Sequence, residues 1–457
     1  MKRSLSGTDA RTHRREGIVT LLLFLLPVEF LLLSALLHGG EAPSDMTKSL
    51  VGPELVASYV LPFLARPTLW EKFDAFVLCP FHLLAVGVSI AGGVGLYVTR
   101  RARFPSWRWG VGIWIGLLLF HVAWLRPWND ERSLLAAADF VHRHGLERFF
   151  AAYGRIEPWL AEKHPPLVPV VLGLLLRFVG PSLPITRGIG IVSGGVTLWF
   201  TARLARLFRC DPHRSVLVLA AFPIFFWSSG SVLLDMPATA FFTMALFHLL
   251  RYVRGEGKES DLFVAALGAG ASCLVRYNAV VIYPIAALFL WRGKATRRAW
   301  IRFFTLPVVM LLAWGSVLFV SGTATLQFRR LTRLAATLLG SAGGGEYTLS
   351  TLLPLFPVQL GIHLFPLLLA AFPGAWREEG GRTLLLWGGG VCLFVLLTLP
   401  VPRYLLPALP PLSIVAAEGL APLDDSPFLL RMALFETFVI VALYDFETNL
   451  GMTYIFY

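Results

Sequence analysis

The chain has 457 residues, of which 56% are hydrophobic and only 15% charged, and 40 Lys+Arg against 28 Asp+Glu leave a formal charge of +12. Soluble globular domains keep about a quarter of their residues charged, so this composition excludes a soluble enzyme or binding module. The positive surplus lies in short gaps between apolar blocks rather than along one stripe, which argues against nucleic acid as a partner and for the charge bias of membrane loops.

Met1 to Glu16 is polar and basic and leads into an apolar block of about 20 residues with no small-residue cleavage site close behind, which reads as a retained signal-anchor helix. Blocks such as Leu21 to Leu37 and Val308 to Val320 are apolar without period-2 alternation. In hydrocarbon such blocks must satisfy their own backbone groups, so they are helices rather than barrel strands. The expectation is an all-α, polytopic transmembrane bundle of about 13 spans. They are placed at 17–37, 75–98, 109–125, 187–205, 215–231, 237–252, 261–275, 278–291, 301–320, 351–373, 383–400, 404–421 and 428–445. Cys79, Cys210, Cys273 and Cys392 lie in or beside these blocks without metal-like spacing and read as small apolar residues.

With the N-terminus inside, the inner gaps carry Arg14 and Arg15, then Arg100 to Arg108, Arg206 to Arg214, Arg251 to Lys258, Arg292 to Arg302, and Arg377 with Arg382. Only the last inner turn, Pro422 to Ser426, departs, with Asp424 and Asp425. The run Pro165 to Gly180 is not taken as a span. It is short, contains Arg177, opens on Pro165-Pro166, and as a span would turn every later basic gap outward. It is expected to be a helix at the outer interface. The outer side then holds Gly39 to Phe73, Arg126 to Thr186 and Ser321 to Ser350, the second with helical spacing of apolar residues.

Five features have chemistry to offer. Trp128-Asn129-Asp130-Glu131-Arg132 places two carboxylates where the third span reaches the outer side, suited to a general base or a metal, or simply to a hydrated loop. Lys163 and His164 precede a rigid Pro165-Pro166 turn and suit a phosphate, although a snorkelling Lys and an interfacial His explain them equally well. Asp235, in Leu234-Asp235-Met236-Pro237, faces the same side as Asp130; helix capping alone would account for it. Arg276-Tyr277 and Arg403-Tyr404 stand at outer span ends against the positive-inside bias, where they can meet an anionic head group or a phosphate.

The order of these pieces, closing on Pro402-Arg403-Tyr404-Leu405-Leu406-Pro407 and Pro410-Pro411-Leu412, resembles the GT-C superfamily of membrane glycosyltransferases, nearest to its protein O-mannosyltransferase and lipid A aminoarabinose transferase branch. The resemblance runs from Trp107 to Leu420 and divides the chain into 1–106 (basic tail and two extra spans), 107–421 (a GT-C-like core with outer loop 126–186) and 422–457 (last span and tail). It implies a polyprenyl-phosphate sugar donor and a lipid, glycan or protein acceptor at the extracytoplasmic side of a bacterial or archaeal plasma membrane or the endoplasmic reticulum. It also implies Asp130 as catalytic base with Glu131 beside it, Asp235 as the second acidic residue, and donor-phosphate contacts from Lys163, His164, Arg276, Arg403 and Tyr404. The acidic pair permits a divalent cation, which the branch does not demand. The alternative is a multi-span transporter or lipid flippase. It calls for ionisable residues along a path at mid-membrane depth, whereas here they cluster at span ends.

Overall fold

The computed structural model describes residues 129–156, 164–180, 183–320, 364–398 and 401–420, with Trp114–Gly116, Leu118, Leu119, Val122, Gly322, Leu360 and isolated positions between Leu430 and Val441. The expected spans 17–37 and 75–98, most of 109–125 and 428–445, the loop Ser321 to Ser350 apart from Gly322, and Lys163 lie outside the described residues.

Among the described residues the secondary structure is helical throughout, with no strand. In chain order the helices are α1 (Asn129–Ile156), α2 (Leu167–Val179), α3 (Leu183–Leu207), α4 (Pro212–Ala220), α5 (Pro223–Ser229), α6 (Asp235–Val253), α7 (Glu259–Val275), α8 (Ile282–Arg292), α9 (Arg297–Val320), α10 (Leu364–Arg377), α11 (Glu379–Thr398) and α12 (Leu409–Leu420). Short 3-10 turns at Tyr277–Val281 and Pro402–Ala408 lead into α8 and α12. The protein is an integral membrane protein of the helical class. Ile185–Leu207, Arg297–Val320 and Glu379–Leu397 are each long and apolar enough to cross a bilayer. On α9 the residues Val308, Val309, Leu312 and Phe319 are exposed and apolar, a surface that suits lipid and not water.

The segment expected as one span at 215–231 is two helices, α4 and α5. Pro223 lacks an N–H and cannot continue the ladder, so the chain restarts there with Pro at the first helical turn. Asp211 caps α4, its side chain accepting from the backbone N–H of His213 and Arg214.

In the segment 126–186, expected on the outer side, the described residues fold as the helices α1 and α2 and the start of α3. Helix α2 has 13 residues, or about 20 Å at 1.5 Å per residue, short of the roughly 30 Å hydrocarbon core. Gly173 lets it lie directly on α1: a Cβ there would sit 2.4 Å from Val141 Cβ and 2.6 Å from the Ala138 carbonyl oxygen. Helix α1 kinks at Gly145, whose φ of 82° lies in the left-handed region that glycine tolerates. Arg177 of α2 donates to the Val141 carbonyl beside the kink (3.3 Å).

One apolar cluster joins this pair to the membrane helices. Leu134, Ala138, Val141 and Phe149 of α1 and Leu172 and Leu176 of α2 pack with Val232 and Leu234, just ahead of α6, and with Val275 at the end of α7. Helix α3 approaches the same loop closely. At Gly190 a Cβ would stand 2.5 Å from the Ser231 carbonyl oxygen, and at Gly194 it would meet Ser229 Oγ at 2.7 Å. Small residues four apart are how membrane helices let backbones touch.

The helices run alternately, so their junctions collect at two ends. A cleft of about 290 Å³ at one end is lined by Phe208, Arg254, Arg292 and Glu379, bringing together the ends of α3, α6 and α8 and the start of α11. The opposite end holds Asp235, Arg276 and Tyr404 around a second cavity. The basic junctions therefore lie at one end, and the residues singled out for chemistry at the other.

Candidate active site

Four side chains from four separate segments form a continuous ionic chain. Asp130 stands in the first turn of α1. Arg403 of the Pro402–Ala408 turn donates from Nη2 to Asp130 Oδ2 at 2.8 Å. The same guanidinium approaches Asp235 Oδ2 with Nε at 3.5 Å. Arg276 donates from Nη1 to that oxygen at 2.7 Å. All four residues are buried. Two carboxylates and two guanidiniums balance in charge, which is the condition for leaving them out of water.

The backbone explains the convergence. Asp235 opens α6, and Pro237 suits the first turn, where its missing N–H costs nothing. A capping role is not what its carboxylate is used for: Oδ2 lies against the two guanidiniums. Arg276 sits between α7 and the Tyr277–Val281 turn in extended conformation, so its side chain leaves the helix axis. Arg403 follows Pro402, which starts a turn packed on α11 and α6. Tyr404 lies beneath both cations, with its ring centroid 4.4 Å from the Arg276 guanidinium carbon and 5.9 Å from that of Arg403.

Beside the chain is a cavity of about 20 Å³. Asp235, Arg276, Asn278 and Tyr404 form its polar side, and Val391, Phe394 and Val395 of α11 form an apolar wall. Arg276 Nε and Nη2 are buried and have no hydrogen-bond partner among the described residues. Two unused donors on a buried cation are costly unless an anion or water meets them.

The other candidate residues fall differently. Glu131 is fully buried and turned to another side of α1, where Arg187 of α3 grips it with Nη2 at 2.9 Å from Oε2 and Nε at 3.2 Å from Oε1. His164 is buried at the start of α2, and its backbone carbonyl accepts from the Tyr153 hydroxyl at 2.6 Å. Burial, and then the neighbouring Tyr277, push the Tyr153 phenol well above its ordinary pKa, so it remains a donor. Tyr153 also packs edge-on to Trp314, which donates to Tyr277 Oη at 3.1 Å. His164 thus joins an aromatic group that adjoins Arg276 through Tyr277. Lys163 lies outside the described residues. Among the described residues no group of three His, Cys, Asp or Glu is placed to hold a metal ion, and Asp130 and Asp235 both face arginine. Arg187 escapes the sequence reading although the signal is present. It is an arginine inside an apolar helix, which at membrane depth is expensive and calls for a partner.

This is the GT-C type of fold: a polytopic helical bundle whose first described loop lies as helices over one end. Residues 163–322 match the family described as dolichyl-phosphate-mannose-protein mannosyltransferase. The chain is similar to the crystal structure of ArnT from Cupriavidus metallidurans bound to undecaprenyl phosphate, at 17% identity and TM-score 0.53, over 69% of this chain and 60% of that one. Against the apo state of the same ArnT the values are 16%, 0.48, 69% and 59%. The chain thus spans about 60% of the length of the ArnT chain it matches. No curated protein matches the sequence. The family match takes in Asp235 and Arg276 and stops short of Asp130 and Arg403. It is the fold that brings those two to the same place.

Proposed function

We propose that this protein is a glycosyltransferase that moves a sugar from a polyprenyl-phosphate carrier to an acceptor hydroxyl or amine on the extracytoplasmic side of the membrane. The observation that carries this reading is the Asp130–Arg403–Asp235–Arg276 chain beside a cavity with one polar wall, carrying Arg276, and one apolar wall. A polyprenyl-phosphate donor asks for that pairing: cations for the phosphate and hydrocarbon for the chain. The likeness to ArnT bound to undecaprenyl phosphate agrees with it. The site's orientation rests on the basic junctions at the far end, which the positive-inside rule keeps cytoplasmic.

The chemistry follows from the groups present. The acceptor oxygen or nitrogen attacks the anomeric carbon, the bond from that carbon to the phosphate oxygen breaks, and the electron pair leaves with polyprenyl phosphate. The acceptor's proton passes to the Asp130 carboxylate. Direct displacement inverts the anomeric centre and needs no covalent enzyme intermediate. The departing phosphate gains one negative charge, and Arg276 and Arg403 lie where that charge grows. Arg403 is bonded to Asp130 in the structure. The donor phosphate therefore draws Arg403 away before Asp130 acts as base. Asp235 keeps Arg276 in place. His164, just ahead of α2, and Lys163, which precedes it in sequence, are proposed as further contacts to the donor head.

The test is transfer from a labelled polyprenyl-phosphate hexose or aminopentose in membranes holding wild-type or Asp130→Asn protein at equal level, together with binding of undecaprenyl phosphate to the purified protein. Transfer should fall at least about 100-fold in the variant, the usual share of a general base, while lipid binding persists. Undiminished transfer would remove Asp130 from this role.

A further inference from the structure

We infer that Arg187 and Glu131 form a positioning clamp that sets the distance between the two acidic residues of the site, an inference that rests on the site reading above. Arg187 and Glu131 are both fully buried. Glu131 takes a two-pronged hold from Arg187 and also accepts the backbone N–H of Val232 at 2.6 Å. Arg187 donates its remaining terminal nitrogen, Nη1, to the Val122 carbonyl at 2.8 Å. One ion pair therefore joins four segments: the stretch around Val122, the start of α1, α3, and the strand of chain that enters α6.

Two of those segments carry the acidic residues. Asp130 directly precedes Glu131, and Asp235 follows Val232 by three residues, through Leu233 and Leu234, both buried. Adjacent residues of a helix point about 100° apart, so Asp130 can face Arg403 while Glu131 faces Arg187. Gly190, one turn after Arg187, lets α3 touch the Ser231 carbonyl, which fixes the same loop a second time.

Stability alone does not explain such a pair. A fully buried ion pair is commonly no better than apolar residues of the same volume, because desolvation offsets its attraction. What apolar packing lacks is the directional hold of four oriented hydrogen bonds. A misplacement of about 1 Å at a reacting centre costs on the order of 100-fold in rate. Glu131 is thus a positioning residue rather than a second base, and Arg187 is its counterpart.

The test compares Glu131→Gln, Arg187→Met and the double variant. Each single variant leaves a buried charge or donor unmet and should unfold at lower temperature; the double variant should recover most of the loss. In the double variant kcat should drop about 100-fold with KM for the lipid-linked donor changed less than about threefold, and the pH–rate profile should keep its shape. Its structure should show Asp130 and Asp235 no longer sharing Arg403. Wild-type kcat in the folded double variant, or an unchanged Asp130–Arg403–Asp235 geometry, would overturn the clamp. So would loss of the acidic limb of the pH profile in Glu131→Gln, which would make Glu131 a base. If wild-type protein turns over no lipid-linked sugar, the proposed function fails, and the structure of the double variant still decides the clamp.

Discussion

Replacing Arg403 by methionine removes a side chain that touches both acidic residues. The network then holds two carboxylates and a single guanidinium. Asp235 keeps Arg276 at 2.7 Å, so the loss falls mainly on Asp130, which had Arg403 at 2.8 Å and is buried. Two unit charges about 4 Å apart interact by about 4 kcal/mol at an effective dielectric of about 20. Breaking a buried pair by deleting one partner costs about 3–5 kcal/mol. Arg403→Met should therefore lower unfolding stability by about that amount. Adding Asp130→Asn removes the carboxylate charge that Arg403 met, and the double variant should regain about 2–3 kcal/mol. Denaturant titration of purified protein in detergent, run on both single variants and the double, measures the coupling directly. A double variant no more stable than Arg403→Met would show that the contact is not an energetic pair and would undo the charge-balance reasoning.

Three further expectations follow from the same geometry. Arg276→Lys retains the charge but loses the guanidinium's contact with the Tyr404 ring and the two unused donors, so affinity for undecaprenyl phosphate should weaken about tenfold, roughly 1.4 kcal/mol, in a thermal-shift titration. Asp235→Ala should leave the protein folded enough to express but reduce donor turnover strongly; unaltered kcat would separate Asp235 from the site. Gly173→Val should push α2 off α1, since even a Cβ there meets Val141 at 2.4 Å, and should cost about 1–3 kcal/mol in unfolding experiments.

Much of this arrangement is readable in the sequence because the solvent is lipid. In so apolar a chain a charged residue is conspicuous, and Arg276 and Arg403 stand out because the expected topology puts them at outer span ends, against the inside-positive bias. Asp130 and Asp235 are legible for the same reason. The short length of α2 and its Pro165-Pro166 start are likewise legible. Other features are not, for reasons of geometry. Asp130-Glu131 reads as one acidic pair, yet neighbours on a helix diverge, and the two carboxylates serve different partners. Arg187 is marked as an arginine in an apolar helix, but nothing local points to its acidic partner, which lies 56 residues away. The break in 215–231 is announced by Pro223, but the unbroken apolar character of the segment hides it. The Tyr153–Trp314–Tyr277 group brings α1 and α9 together and has no local signature at all.

The bond between Arg403 and Asp130 closes a loop of 273 residues. At about 5–20 residues per second, a ribosome needs roughly 14–55 s to make the second partner after the first. For that time a nascent chain carries the start of α1 without its later counterion. Such a carboxylate tolerates the wait in a helix laid over the bundle, where water can reach it, far better than it would inside a span. The late arrival of Arg403 also means that a polypeptide arrested before the Pro402–Ala408 turn carries the acidic residues but not the arginine that bridges them, so competence waits for that turn.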